Sequence, residues 1–293
     1  MKPPRFVYHD PLTRDEALTL LETYQDEAKL LAGGQSLVPL LNMRLAQPAH
    51  LVDINRLSDL AYIREEDGYL AIGALTRQRD IERSPLVRRC CPLLSKAIVY
   101  VGHAPIRSRG TMGGSLAHAD PAAELPAVLQ ALEGCVRAES LAGSRNISAE
   151  EFFTDSLQTS LMSKELLVEA RFPVVPPHTG VAFSEVSRRH GDFALVGVAA
   201  QLTLHETGTI SSAHLALMGV AETPVRMRAV EALLQNQQPG EELFHTAAEK
   251  ACAALEPPTD LHASSEYRRS VAGVLVRRAL HTAAEQALQR GEI

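Results

Sequence analysis

The sequence predicts an α+β fold: two α/β subdomains in succession, then a C-terminal domain of antiparallel sheet with helices. Three observations carry that expectation. Strand and helix patterns alternate over residues 1–55, two well-separated Gly-Gly pairs each adjoin a regular element, and after a proline-rich junction long strands give way to long helices. At 293 residues the chain is too long for one small core and suits units at 1–55, 56–176 and 177–293.

In the first unit, residues 6–9 read as a short strand ended by Asp10-Pro11. Thr13 has the character of an N-cap, with Glu16 completing a capping box. A helix over 14–24 follows, with Ala17, Leu18, Leu20 and Leu21 on its apolar face. A buried strand at 28–32 runs directly into Gly33-Gly34, and a helix over 37–44 and a strand over 51–54, ended by Asn55, close the unit. In the second unit, strands at 62–64 and 69–73 flank Glu65-Glu66-Asp67-Gly68 as a hairpin. Thr76 caps a helix reaching Ile81, residues 92–98 and 121–132 are helical, and 136–138 and 166–172 are strands. The linker at 173–180, Pro-Val-Val-Pro-Pro-His-Thr-Gly, is the clearest in the chain. Beyond it, 180–187, 193–205 and 210–218 read as antiparallel strands with a turn at Thr207-Gly208, and 222–235, 241–255 and 264–289 as helices.

Composition narrows the function. Apolar content of 45% with 22% charged residues is that of an ordinary globular protein. A net charge of -6 without any basic run argues against a nucleic-acid partner. No segment approaches the length of a membrane span and residues 1–5 lead into no apolar signal-type core, so cytoplasmic residence is expected. Cys90, Cys91, Cys135 and Cys252 make no C-x-x-C pair, and the adjacent Cys90-Cys91 are poorly placed to chelate one ion; they read as free thiols, not metal ligands. The eleven histidines show no H-x-x-x-H spacing.

The chemistry-bearing segments are Ala32-Gly33-Gly34-Gln35-Ser36 and Thr111-Met112-Gly113-Gly114-Ser115. Glycine lacks Cβ, so backbone N–H groups can approach an anion that a side chain would block. Several such donors around one point make a concavity suited to a phosphate or pyrophosphate. Two of them suggest two loops closing on one nucleotide cofactor. The dinucleotide fingerprint G-x-G-x-x-G is not matched, so the loops are of another type.

In their wider context, Leu30-Leu31-Ala32-Gly33-Gly34-Gln35-Ser36-Leu37 and Arg109-Gly110-Thr111-Met112-Gly113-Gly114-Ser115-Leu116-Ala117-His118-Ala119-Asp120-Pro121 together resemble one family. It is the FAD-binding medium subunit of the molybdenum hydroxylases, the carbon monoxide dehydrogenase and xanthine dehydrogenase group, within the flavoprotein fold of p-cresol methylhydroxylase and vanillyl-alcohol oxidase (PCMH/VAO type). The resemblance extends over essentially the whole chain, including the proline-rich junction and Ser187-Arg188-Arg189-His190-Gly191-Asp192-Phe193-Ala194. It implies a PCMH-type FAD-binding domain of two α/β subdomains followed by the C-terminal domain.

The resemblance implies FAD as the cofactor of this chain. It assigns Lys29, Leu30, Leu31, Ala32, Gly33, Gly34, Gln35, Ser36 and Leu37 to a first phosphate-binding loop, with backbone N–H groups and the Ser36 hydroxyl facing the pyrophosphate. Thr111, Met112, Gly113, Gly114 and Ser115 form a second loop against the same diphosphate and the ribityl chain. His118, Ala119 and Asp120 fall near the ribityl or isoalloxazine; for His118 a structural hydrogen bond is the alternative, and for Asp120 an N-cap of the next helix. Glu124 contacts the cofactor, Val101 belongs to the site, and Leu167 or Val168 gives a backbone contact near the flavin. Phe193 stands where relatives commonly have Tyr beside the flavin ring, keeping the shielding surface without the hydroxyl; plain strand core is its alternative. Arg188 or Arg189 is the cation expected near the isoalloxazine N1–C2=O edge, and Ser184 and Ser187 occupy positions where some relatives have Lys.

The implied function is an FAD electron-transfer subunit. Substrate is oxidised at a molybdenum cofactor in a large partner subunit, electrons cross two [2Fe–2S] clusters in a small partner subunit, and FAD here passes them to an external acceptor. A dimer of heterotrimers is the implied assembly. The rivals are a stand-alone FAD oxidoreductase of the same fold and a non-enzymatic scaffold; the intact glycine pairs oppose the second.

Overall fold

A computed structural model describes residues 2–291; residue 1 and residues 292–293, the outer limits of the first and last expected units, lie outside the described residues. The first unit alternates β1 (Val7–His9), α1 (Arg14–Tyr24), β2 (Ala28–Leu31), α2 (Leu37–Met43) and β3 (His50–Asp53). Its three strands form a parallel sheet in the order β1-β3-β2, the arrangement that helical crossovers impose. Thr13 Oγ1 accepts from Glu16 N at 3.2 Å as expected, but Glu16 Oε2 reaches Leu12 N (2.7 Å) instead of closing the box on Thr13. The strand β2, expected to be buried, is half-exposed, with Lys29 in solvent.

The second unit runs through β4 (Ile63–Glu66), β5 (Tyr69–Gly73), α3 (Gln78–Arg83), α4 (Pro85–Cys90), α5 (Pro92–Ala97), α6 (Ala104–Arg107), α7 (Met112–His118), α8 (Glu124–Ala131), β6 (Cys135–Ser140), β7 (Gly143–Ser148), α9 (Ala149–Phe152), β8 (Phe153–Asp155), β9 (Gln158–Thr159) and β10 (Leu166–Pro173). Its main sheet is antiparallel in the order β4-β5-β10-β6-β7. The hairpin turn is shorter than expected. Glu65 and Glu66 pair with Leu70 and Tyr69, leaving Asp67 (φ 51°) and Gly68 (φ 78°) to reverse the chain. Thr76 caps no helix: its hydroxyl bridges Tyr62 N (3.0 Å) and Tyr62 O (2.8 Å), and α3 begins two residues later.

The third unit holds β11 (Thr179–Ser187), β12 (Ala194–Leu204), β13 (Ile210–Met218), β14 (Val225–Arg226), α10 (Arg228–Leu234), α11 (Glu241–Ala253) and α12 (Ser265–Gly291), its strands antiparallel in that order. The helix expected over 222–235 is confined to α10, because Pro224 disfavours helix before it and Val225-Arg226 pair with β13. One face of this sheet packs on α10–α12 through Ala182, Val198 and Leu215. The other face, through Val181, Phe183, Ala199, Ala216 and Met218, joins the core of the second unit. With both faces covered, β12 is apolar almost without interruption rather than alternating.

Candidate functional site

The strand β2 delivers the first glycine segment at the edge of the parallel sheet, where the chain turns into α2. Gly34 has φ 73°, a left-handed value that glycine adopts without steric cost. A Cβ on Gly33 would stand 2.3 Å from the carbonyl oxygen of Arg109, so only glycine lets the two segments touch. The amides of Gly33, Gly34, Gln35, Ser36 and Leu37 donate no hydrogen bond to any described residue; the first amide of α2 to do so is Val38, to Gly34 O at 3.0 Å. Five consecutive donors thus remain open to an acceptor from outside.

The second segment is built differently, and corrects the expectation of a second open loop. Thr111 is the N-cap of α7, its Oγ1 accepting from Gly114 N at 3.1 Å. Met112 N donates to Thr76 O (3.0 Å), Gly113 N to Ala74 O (2.8 Å) and Ser115 N to Thr111 O (3.2 Å). Gly113 is packed so tightly that a Cβ would lie 2.5 Å from Ala74 Cβ. Only the Thr111 amide and the Ser115 hydroxyl of this segment make no bond within the described residues.

A polar clamp joins the segments. Tyr8 OH donates to Asp53 Oδ2 (2.7 Å), and Asp53 Oδ1 receives Asn55 N and Nδ2 (2.9 and 2.6 Å). Asn55 Nδ2 also donates to Ala32 O (2.7 Å), while its Oδ1 accepts from Arg77 Nη2 (2.8 Å). Arg77 Nη1 then donates to Arg109 O (2.6 Å), the same carbonyl that faces Gly33. Asn55 read as a strand terminator in the sequence, and Arg77 carried no local signal, since its partners lie 22 and 32 residues away.

His118 ends α7, half-buried, and burial lowers its pKa; Asp120 opposes that effect and Lys29 adds to it. Ala119 takes φ 51° as the C-cap of α7, and Asp120 Oδ1 accepts from Ala122 N (2.9 Å), so Asp120 orders the turn before α8 while the N-cap of α8 is Ala123. Glu124 is buried in the first turn of α8, and desolvation pushes its carboxyl up to about 8. Leu167 and Val168 are buried at an irregularity of β10, and the Val168 carbonyl is already taken by Ala74 N (2.9 Å). Val101 is half-buried, its carbonyl held by Arg107 Nη1 at 3.1 Å.

The β11–β12 turn carries the outermost members. Phe193 is 60% exposed, on the surface and not in a strand core. Arg188 pairs with Asp192 (2.9 Å) and touches His262 Nδ1 (3.2 Å), whereas the Arg189 side chain is 82% exposed. Gly191 (φ 77°) lies against the His103 ring, close to Val101 in the chain. Clefts of about 760 Å³ between α11 and α12 and about 420 Å³ between Arg14 and Glu169 are lined by other residues, apart from Val168 in the second. Among the described residues no group of three or more His, Cys, Asp or Glu is placed to hold a metal, and no helix is long and apolar enough to cross a membrane.

A two-unit FAD-binding fold with an open glycine nest and an appended antiparallel sheet defines a class of flavoprotein, and the family comparisons agree. Residues 4–175 match the FAD binding domain in molybdopterin dehydrogenase, and residues 181–283 match the CO dehydrogenase flavoprotein C-terminal domain. The chain belongs to this family, the FAD-binding medium subunits of the molybdenum hydroxylases. It is 44% identical over 287 residues to the 6-hydroxypseudooxynicotine dehydrogenase complex subunit alpha of Paenarthrobacter nicotinovorans, covering 98% of this chain and 97% of that one. It is 39% identical over 284 residues to the carbon monoxide dehydrogenase medium chain of Hydrogenophaga pseudoflava, covering 97% and 98%. A solved structure of carbon monoxide dehydrogenase from the same organism superposes with a TM-score of 0.94 at 40% identity, covering 98% of this chain and 99% of that one.

Proposed function

We propose that this chain holds FAD and is the electron-output subunit of a three-subunit molybdenum hydroxylase. In this reading it takes electrons from [2Fe–2S] clusters of a small partner subunit and passes them to an external acceptor. The observation that carries the reading is the run of five unpartnered amides, Gly33 to Leu37, clamped beside α7 in a chain of an FAD-binding family. Neutral N–H donors satisfy a diphosphate without basic side chains, each bond to a charged oxygen contributing about 1.5–3 kcal/mol. When bound, FAD supplies a carrier that accepts electrons singly and yields them singly or in pairs.

The chain's own residues then have distinct tasks. Gly33 to Leu37 with the Ser36 hydroxyl hold the diphosphate, and the Thr111 amide and Ser115 hydroxyl close it from the other side. Asn55 and Arg77 fix the separation of the two segments. Glu124, whose buried carboxyl accepts a hydrogen bond from its own amide and from no other described residue, is an acceptor for a cofactor N–H or O–H. Phe193 shields the ring, and Arg188, oriented by Asp192, is the positioned cation. Substrate oxidation belongs to a large molybdenum subunit, and the assembly proposed is a dimer of heterotrimers.

Purification with all associated chains tests the reading. Flavin bands overlaid by iron–sulfur absorption, molybdenum and iron in the preparation, and two further subunits are the expected result. Stoichiometric flavin on this chain alone, with catalytic turnover of an organic substrate, contradicts it.

A further inference from the structure

The β8–β9 ribbon ends in a two-residue turn. Phe153 pairs with Thr159 and Asp155 with Gln158, so Ser156 and Leu157 reverse the chain. Of the two only Leu157 has positive φ, 57°, at the place where turn chemistry favours glycine or asparagine. Among the described residues eight non-glycine residues have positive φ; six are polar, one is Ala119, and Leu157 alone carries a large apolar side chain. A bulky side chain disfavours this conformation, and a residue held in it marks strain that something else must offset.

The contacts inside the chain do not call for leucine. The Leu157 amide donates to the carbonyl oxygen of Ala119, the C-cap of α7, at 3.1 Å, a backbone bond that glycine would make equally well. The side chain is 52% exposed. A lone exposed leucine needs no explanation, but one held in a conformation that leucine disfavours does. The ribbon is fixed at its base as well. Phe152 and Phe153 are buried in the core of the second unit with their rings edge to face at 5.0 Å, and Ser160 N donates to Phe152 O at 2.9 Å. Leu157 is therefore an apolar knob that is already ordered before anything meets it. Its setting is acidic, with no Lys or Arg from residue 146 to 163. Asp155 and Glu151 are exposed, their carboxylates taking the Ser156 amide (2.7 Å) and the Ser148 hydroxyl (2.8 Å), while Glu150 pairs with Arg228 of α10 (2.6 Å).

We propose that the tip of the β8–β9 ribbon docks onto a partner chain of the complex, Leu157 entering an apolar socket that lysine or arginine side chains border. The proposal rests on the reading above that this chain works as one subunit of three. Burial of the Leu157 side chain in the socket supplies the compensation that the strained turn lacks within its own chain. Cations at the socket's edge complement Asp155 and Glu151 and fix the register of the contact. A second copy of this chain is the wrong occupant, because two such tips meeting across a two-fold axis would set Asp155 against Asp155.

Two measurements on the purified complex test it. A photo-crosslinking amino acid incorporated at position 157 is expected to give a covalent product with one of the other two subunits. A product with a second copy of this chain or with flavin, or no product at all, overturns the docking. The complex carrying Leu157→Asn, and that carrying Leu157→Gly, keep the turn and its bond to Ala119 but lack the knob. Dilution followed by mass photometry should show subunit dissociation at least about tenfold easier in both, with FAD content unchanged. Unchanged dissociation, or FAD lost along with assembly, overturns the docking and makes Leu157 a part of this chain's own fold, while the electron-output reading stands. A chain that purifies with no partner chains overturns both.

Discussion

The two glycine segments look alike in sequence and do opposite things in the fold. Around Gly33-Gly34 the backbone donors are left open, and glycine is needed so that the loop can touch Arg109 and turn through φ 73°. Around Gly113-Gly114 the donors are satisfied by Thr76, Ala74 and Thr111, and glycine is needed so that α7 can press against Ala74. The first segment leaves its donors open to an acceptor from outside; the second spends its donors on the protein and packs against it. A Gly-Gly pair therefore reports close backbone approach, and only the fate of the neighbouring amides says whether the thing approached is a ligand or the protein itself.

Substitutions break this contrast in a definite order. Gly33→Val places a Cβ 2.3 Å from a backbone carbonyl that cannot give way, and is expected to weaken FAD binding at least about 100-fold. Fluorescence titration measures it, with the C-terminal domain checked by circular dichroism. Asn55→Ala or Arg77→Met removes the clamp without touching a donor, and about a tenfold loss is expected, roughly 1.4 kcal/mol. Gly114→Ala meets the Thr111 hydroxyl at 2.7 Å and Ala32 Cβ in ordinary contact at 3.7 Å, and gains helix propensity, so a change within about threefold is expected. If Gly114→Ala abolished binding while Gly33→Val spared it, the roles of the segments would be reversed.

The buried acids sharpen the account through pH. Both Glu124 and Glu185 have folded-state pKa values above their ordinary 4.5, so ionising them favours the unfolded chain. Their stabilising contribution is full below about pH 4.5 and is lost as pH rises toward 7 for Glu185 and 8 for Glu124. The slope is at most about 1.4 kcal/mol per pH unit for the buried Glu124, and less for the half-buried Glu185. Thermal melts of FAD-free protein should show Tm falling across this window, and Glu124→Gln should flatten the fall. A Tm that rises from pH 5 to pH 8 by the same amount in both proteins would contradict the assignment.

Much of this was legible in the chain itself. The alternation over residues 1–55 gave β1 to β3 within a residue or two, and the long strands β11 to β13 and the helices α11 and α12 stood out by their length. Elements of two to six residues, such as α4, α6, β7 and β9, were not legible because so few residues establish no period. Thr76 misled for a physical reason: a hydroxyl that caps helices elsewhere is here recruited by the Tyr62 backbone. The glycine motifs marked the candidate segments, but Asn55 and Arg77 join them through partners 22 to 32 residues distant in the chain, and no local pattern announces such contacts.

Amide hydrogen exchange on the FAD-free and FAD-loaded protein tests the central claim most directly, since it reads the donors themselves. Gly33 to Leu37 should exchange fast without FAD and become protected on loading, whereas Met112 to Ser115 should be protected in both states. Unchanged exchange across Gly33 to Leu37 with FAD bound would contradict the account.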